Sequence, residues 1–284
     1  MEIKKIAVVG CGTMGSGITQ VAAQAGIEVV AVEVDADAAA RALERITAGI
    51  AATLARGKLT EQQAEQARGR FRLTTNLEDI AEAQLVVEAV YEDVELKKAL
   101  LGRIDQLVGP ETFIGSNTST IPLVILAGAT SRPERVIGLH FFNPVPAMRL
   151  VEVIKTPVSE PEHVAVMTDL AKALGKTPIV VNDVPGFVGN LLIVPYLLDA
   201  IRALERGVAD LESIDDVIKL GFNHPMGPFR LSDLIGLDIV HDMAASMYEE
   251  YKDPRYVPPT LLKQYVRLGW LGRKTGRGFY SYDG

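Results

Sequence analysis

Apolar and polar positions follow two distinct patterns along this chain, and one gives way to the other after TPIVV at 177–181. Before that point the short apolar runs IAVV at 6–9, VVAV at 29–32, LVV at 85–87, FIG at 113–115, VIGL at 136–139 and LVEVI at 150–154 read as strands. Most are apolar on both alternating faces, as the buried strands of a parallel sheet require. FRLT at 71–74 reads as a further strand, and helical spacing fills the gaps at 18–25, 38–54 and 94–107. Strand alternating with helix predicts an α/β fold with a Rossmann-type doubly wound sheet. The 38–54 pattern is alanine-rich, Gly57 ends it, and Thr60 with Gln63 match a capping box opening a second helix. A helical hairpin is therefore inserted in the sheet domain.

From residue 188 onward only helical patterns remain, at 191–204, 211–220, 231–247 and 260–268, separated by turns such as NHPMGP at 223–228. The expected organisation is a sheet domain over 1–185 followed by an all-helical C-terminal domain over 186–284, with Pro185, Gly186 and Phe187 at the boundary. Apolar residues such as Leu197, Leu198, Ile201, Ile235 and Val240 give the helical domain surplus hydrophobic surface, so a homodimer through it is expected.

Composition narrows the class of partner. The 284 residues, 48% hydrophobic, suffice for two ordinary cores. A net charge of -7 without a Lys/Arg run argues against nucleic acid and anionic membrane as main partners, while a small anionic ligand needs only a local basic patch. The opening MEIKKIAVVGCG has too short an apolar run for a secretory signal, and no stretch approaches the roughly 20 apolar residues that span a bilayer. One cysteine, Cys11, excludes an internal disulfide and suits a reducing cytoplasm.

The most specific local signal is GCGTMG at 10–15, lying between a strand and a helix and followed by a second strand that ends in Glu33. Gly10 suits a tight turn, Gly12 lets backbone approach a diphosphate, and Gly15 lets helix and strand pack closely; Thr13 and Met14 open the helix whose free N–H groups face the anion. Glu33 is placed to accept from ribose hydroxyls and to repel a 2′-phosphate, which predicts NAD over NADP. Cys11 fills a variable position of the loop.

A second constellation lies in VIGLHFFNPVPAMRLVEVIK at 136–155. The prolines of NPVP force a turn, so the strand ending at His140 and the strand carrying Glu152 fold side by side. A carboxylate within an apolar strand needs a partner, and an imidazole can supply one, which gives a catalytic dyad. The alternative is a satisfied core histidine with Glu152 turned to solvent from an edge strand. In a doubly wound sheet, 88–92, the SNTS of 116–119 and His140 would gather at the carboxyl ends of strands near the cofactor. Ser119 has a second reading as the cap of the helical turn at Ile121 and Pro122. On the hairpin, Arg41 and Arg45 read as a solvated face, and Lys58 beside Gly57 stands open between ligand contact and solvent. His163, His224 and His241 lack ligand spacing, and no metal is expected.

GCGTMGSGI, VVEAVYED with Lys97 shortly after, SNTST, GLHFFNP, VEVI, DVPGFVGN and GRKTGRGFY together resemble the 3-hydroxyacyl-CoA dehydrogenase family, especially its short bacterial 3-hydroxybutyryl-CoA members, nearly end to end. The resemblance implies His140 as general base, Glu152 as its partner, and Ser119 and Asn190 binding the reacting oxygens. It further implies cofactor contacts from Glu92, Lys97, Asn143 and Lys274, and CoA contacts from Thr53 and Lys58. The family often has Asp where this chain has Glu33, and its hairpin aligns loosely. The implied function is NAD-dependent interconversion of a short L-3-hydroxyacyl-CoA and its 3-ketoacyl-CoA. The competing readings are a related dehydrogenase of a CoA-free 3-hydroxy acid, of the carnitine or gulonate type, and a non-catalytic crystallin-like NAD-binding protein.

Overall fold

The structure, a computed structural model, describes residues 1–282; the last two positions of the expected 186–284 domain lie outside the described residues. The chain divides into two compact units, one ending at Val184 and the other beginning at Pro185. In the first unit the order is β1 (Lys5–Val9), α1 (Thr13–Gln24), β2 (Glu28–Val32), α2 (Ala36–Ala55), α3 (Glu61–Arg68), β3 (Phe71–Thr74), β4 (Leu85–Glu88), α4 (Val94–Leu107), β5 (Phe113–Ser116), α5 (Leu123–Ala127), β6 (Val136–Phe141), β7 (Leu150–Lys155), α6 (Pro161–Ala173) and β8 (Thr177–Asn182). The second unit holds α7 (Gly189–Glu205), α8 (Leu211–Gly221), α9 (Pro228–Ile235), α10 (Leu237–Tyr251) and α11 (Thr260–Arg267).

One eight-stranded sheet runs in the order β3-β2-β1-β4-β5-β6-β7-β8. All neighbours are parallel except β6 and β7, which pair antiparallel. The chain winds outward from β1 in both directions, so the strand order reverses beside β1 and β4, where their carboxyl ends open a crevice. The apolar runs become strands because both faces are covered: Val8, Val87, Ile137 and Val153 lie in one buried cluster with α1 and α6 residues such as Ile18 and Met167. Local chemistry sets the helix starts. Asp35 caps α2 through the Ala38 N–H, Asp93 caps α4 through the Leu96 N–H, and Thr60 with Gln63 completes the capping box of α3.

Two elements depart from the sequence expectation. The helix expected over 231–247 is broken into α9 and α10 by Gly236 at φ 108°, a backbone state no helix contains. Leu237, the first residue of α10, donates instead to the Leu271 carbonyl. Helix α6 was not anticipated, although Pro161 at its first turn and buried Val164, Met167, Leu170 and Ala171 at helical spacing carry the signal.

In the second unit, Asp233 on α9 is almost fully buried and accepts from the Phe279 and Tyr280 N–H groups and the Tyr282 hydroxyl, each at 2.9 Å. Asp233→Ala strands three donors; the expected cost is about 2–4 kcal/mol, read as a lower urea midpoint with unchanged m-value. A midpoint equal to wild type would show that these bonds do not hold the C-terminal segment.

Candidate active site

The antiparallel register of β6 and β7 sets His140 directly opposite Glu152, so both side chains leave the sheet on one face. His140 Nδ1 lies 2.7 Å from Glu152 Oε2, and the residues are 6% and 2% exposed. The alternative of a solvent-facing Glu152 is thereby excluded, because β8 covers β7 and makes it an interior strand. A ring held this way keeps its proton on Nδ1 and presents Nε2 as a proton acceptor. The turn joining the two strands is held from below. Lys176 Nζ donates to the carbonyls of Val145 at 2.5 Å and Met148 at 2.8 Å, and burial pushes its ammonium below the ordinary lysine value. Asn143 sits exposed in that turn.

Beside β6, the ends of β4 and β5 carry a ladder of buried charge. Glu88 and Ser116 are register partners, and the Ser116 hydroxyl donates to Glu88 Oε2 at 2.6 Å. Lys97 Nζ meets Glu88 Oε1 at 2.5 Å, with side chains 1% and 0% exposed, and lies 3.3 Å from Glu92 Oε2. Glu92 Oε1 in turn accepts from the Thr118 hydroxyl at 2.6 Å, the Ser119 N–H at 2.8 Å and the Thr120 N–H at 3.1 Å. The carboxylate thus holds the loop that carries Ser119. Burial alone would raise the Glu92 carboxyl, but the Lys97 charge and the loop donors overcome it and keep it below the ordinary carboxylate value. The sequence reading placed 88–92 near the cofactor but gave Glu88 no partner, although a lone carboxylate at the end of the apolar LVV is the same signal that marked Glu152.

Ser119 is not the cap of the following helix. The first N–H groups of α5, those of Leu123 and Val124, donate to Asp183 at 2.8 and 2.7 Å, and Ile121 N–H donates to the Thr118 hydroxyl. A cap sixty residues downstream has no local sequence signature.

At the glycine loop, Gly10 takes φ 86°, a Cβ on Gly15 would overlap the Gly10 carbonyl oxygen, and the Cβ direction of Gly12 is open to 4 Å. Gly12 is the N-cap of α1 and no side chain caps the N–H groups of the first turn, where Thr13 and Met14 sit. An open, uncapped helix start of this kind fits the diphosphate of a dinucleotide. Glu33 Oε1 accepts from the Cys11 N–H at 2.7 Å, tying the second strand to the loop. Burial, with the nearby Glu33 charge, pushes the Cys11 thiol up to about 12, so it is no nucleophile at neutral pH.

On the inserted hairpin, Arg45 is exposed, as a solvated face requires, yet α2 lies against α1 and Arg45 Nη2 also reaches over to donate to the Cys11 carbonyl at 2.9 Å. Arg41 is exposed. The Thr53 hydroxyl donates to the Gly49 carbonyl and accepts from Gln20 Nε2, so it is engaged between α2 and α1. Lys58 is exposed after the Gly57 turn and joins no ion pair among the described residues. In the second unit, Asn190 is buried in the first turn of α7, after Gly186 at φ 81° and Phe187 at φ 51°. Lys274 pairs with Asp238 at 2.5 Å.

Comparison with known proteins matches both units. The family model described as "3-hydroxyacyl-CoA dehydrogenase, NAD binding domain" covers residues 5–184, and that described as "3-hydroxyacyl-CoA dehydrogenase, C-terminal domain" covers residues 186–282. A 3-hydroxybutyryl-CoA dehydrogenase of Mycobacterium tuberculosis is 45% identical over 282 residues, 99% of each chain. The human mitochondrial hydroxyacyl-coenzyme A dehydrogenase is 40% identical over 99% of this chain and 91% of its own. The crystal structure of (S)-3-hydroxybutyryl-CoA dehydrogenase from Ralstonia eutropha superposes with a TM-score of 0.94 at 41% identity, with full coverage of both chains at 100%.

The Glu92 clamp has a pH signature. A carboxyl depressed in the folded state stabilises the protein above its ordinary value near 4.5, and that contribution disappears as pH falls through the lowered folded value. Glu92→Gln is therefore expected to lower the urea midpoint at pH 7 and to converge with wild type toward pH 3. A gap of equal size at both pH values would rule out the charge as the source.

Proposed function

The chain belongs to the 3-hydroxyacyl-CoA dehydrogenase family, and we propose the following division of labour among its residues. The enzyme interconverts L-3-hydroxyacyl-CoA and 3-ketoacyl-CoA, on short chains of the 3-hydroxybutyryl/acetoacetyl type, with NAD as cofactor. The observation that carries the reading is the buried contact of 2.7 Å between His140 Nδ1 and Glu152 Oε2, on the strand beside the Ser119 loop.

Oxidising a secondary alcohol needs a base on the hydroxyl proton while hydride leaves the same carbon. His140 Nε2 takes that proton. The imidazolium so formed keeps its other proton on Nδ1 against Glu152, which stabilises the positive ring in a buried setting. In the reducing direction the same nitrogen returns the proton to the ketone oxygen. Ser119, held by Glu92, and Asn190 by the family's pattern orient and polarise the substrate oxygens. When bound, NAD would supply the hydride acceptor for oxidation and NADH the hydride donor for reduction. Gly10, Gly12, Thr13, Met14, Gly15 and Glu33 would hold its adenosine diphosphate half, and Glu92, Asn143 and Lys274 would contact it by the family's pattern. Lys97 acts on it through Glu92, since its donors are committed to carboxylates and the Val90 carbonyl. Lys58 at the hairpin tip supplies a charge for CoA phosphate; Thr53 shapes the same helix from within.

Among the described residues no helix is long and apolar enough to cross a membrane. A cytoplasmic setting is supported by the single thiol. Leu197, Leu198, Ile201 and Val240, expected to supply the surplus surface, are instead buried in the helical unit's own core; a homodimer through this unit is supported by the exposed apolar side chains of Val217, Leu220 and Phe222 on and after α8 and Leu192 on α7.

His140→Ala is expected to lower kcat by roughly 10²- to 10⁴-fold while NADH affinity stays close to wild type; a variant within a few-fold of wild type would remove His140 from the mechanism. Rates on acetoacetyl-CoA should exceed those on free 3-hydroxy acids, and activity confined to the free acids would sink the CoA assignment. Light scattering on the purified protein should give the mass of a dimer, and Leu220→Glu with Phe222→Glu should shift it toward monomer; a monomeric wild type contradicts the proposed interface.

A further inference from the structure

The two hydrogen bonds on the Cys11 carbonyl point beyond packing. Ser16 Oγ donates to this oxygen at 2.6 Å and Arg45 Nη2 at 2.9 Å, while Arg45 Nε lies 3.4 Å from Ser16 Oγ. The Cys11 N–H is taken by Glu33 at 2.7 Å. The peptide on which Ser16 and Arg45 converge is the one joining Cys11 to Gly12, so its other end is the Gly12 N–H at the N-cap of α1. Donors on a carbonyl polarise the whole peptide group and make its N–H a stronger donor, and a charged donor does so most.

Arg45 is also the source of positive charge here. No Lys or Arg occurs among the residues from Gly10 to Gly26, and among the described residues the Arg45 guanidinium forms no ion pair with a carboxylate; its bonds go to a carbonyl and a hydroxyl. Its charge is therefore not spent in an ion pair, although the Glu33 carboxylate holds the N–H side of the same residue, Cys11. Its position is fixed by the seating of α2 on α1, where Gln20 Nε2 donates to Thr53 Oγ1 at 3.1 Å and Gly49 leaves room for the Gln20 side chain.

We propose that Arg45, reaching from the inserted hairpin onto the Cys11 carbonyl, is a positioning residue for the dinucleotide diphosphate, holding the glycine loop in shape and lending it positive charge. The inference rests on the NAD reading of that loop. It makes α2 part of the cofactor site as well as the carrier of the CoA-facing tip.

The test uses direct binding to the purified enzyme. NADH is titrated by fluorescence, and ADP-ribose and adenosine compete against it, for wild type, Arg45→Met and Arg45→Lys. Arg45→Met is expected to weaken NADH and ADP-ribose by about three- to tenfold, as loss of one nearby charge implies, and to leave adenosine, which lacks phosphate, unchanged. Arg45→Lys should recover much of the loss. Added salt should weaken NADH more steeply in wild type than in Arg45→Met. Wild-type affinity of Arg45→Met for ADP-ribose, or an equal loss for adenosine, would overturn the proposal. Wild-type protein that bound no NADH would overturn the cofactor reading itself.

Discussion

A carboxylate in the middle of an interior strand must be paired, and that requirement organises the sheet's functional edge. Glu152 cannot reach water from β7, since β6 and β8 flank it, so the antiparallel turn after His140 must return in the one register that brings the imidazole opposite. A slip of one residue would send the two side chains to opposite faces. The ammonium of Lys176, buried against two carbonyls of the intervening turn, fixes that return from the far side of the hairpin.

The same logic recurs one strand away. Glu88 ends β4 fully buried, and its partners Lys97, Ser116 and the Val90 N–H come from a helix, a strand and a loop. Lys97 then meets Glu92, and Glu92 gathers the N–H groups of the Ser119 loop. Removing charges from water is costly unless each finds its counterpart, so a ladder of this kind leaves the loop few alternative positions. The residues proposed to touch substrate are thereby held by residues that do not.

The glycine loop completes the pattern from the other side of β1. Its backbone is shaped by what glycine permits at Gly10 and Gly15, but its orientation is held by Glu33, just past β2, and by Arg45 from the hairpin, on opposite ends of the Cys11 residue. An insertion into a plain strand-helix-strand unit has thus become part of the unit it interrupts.

Much of this was readable in the chain itself. Apolar runs, glycines at fixed offsets, the caps of α2, α3 and α4 and the change to helical spacing after 177–181 are local facts, because propensity and periodicity act over a few residues. The pairing of His140 with Glu152 was also within reach, since a proline turn makes the two strands neighbours. What the sequence could not decide were contacts between residues distant along the chain, Asp183 capping α5 and Arg45 on the glycine loop, and two nearer features that packing settles: Lys97 sealed between two glutamates, and Gly236 dividing a helix whose periodicity continues through it. Each depends on which surfaces the fold brings together. A local pattern records that a charge or a glycine is present; only the packed chain determines which group it meets.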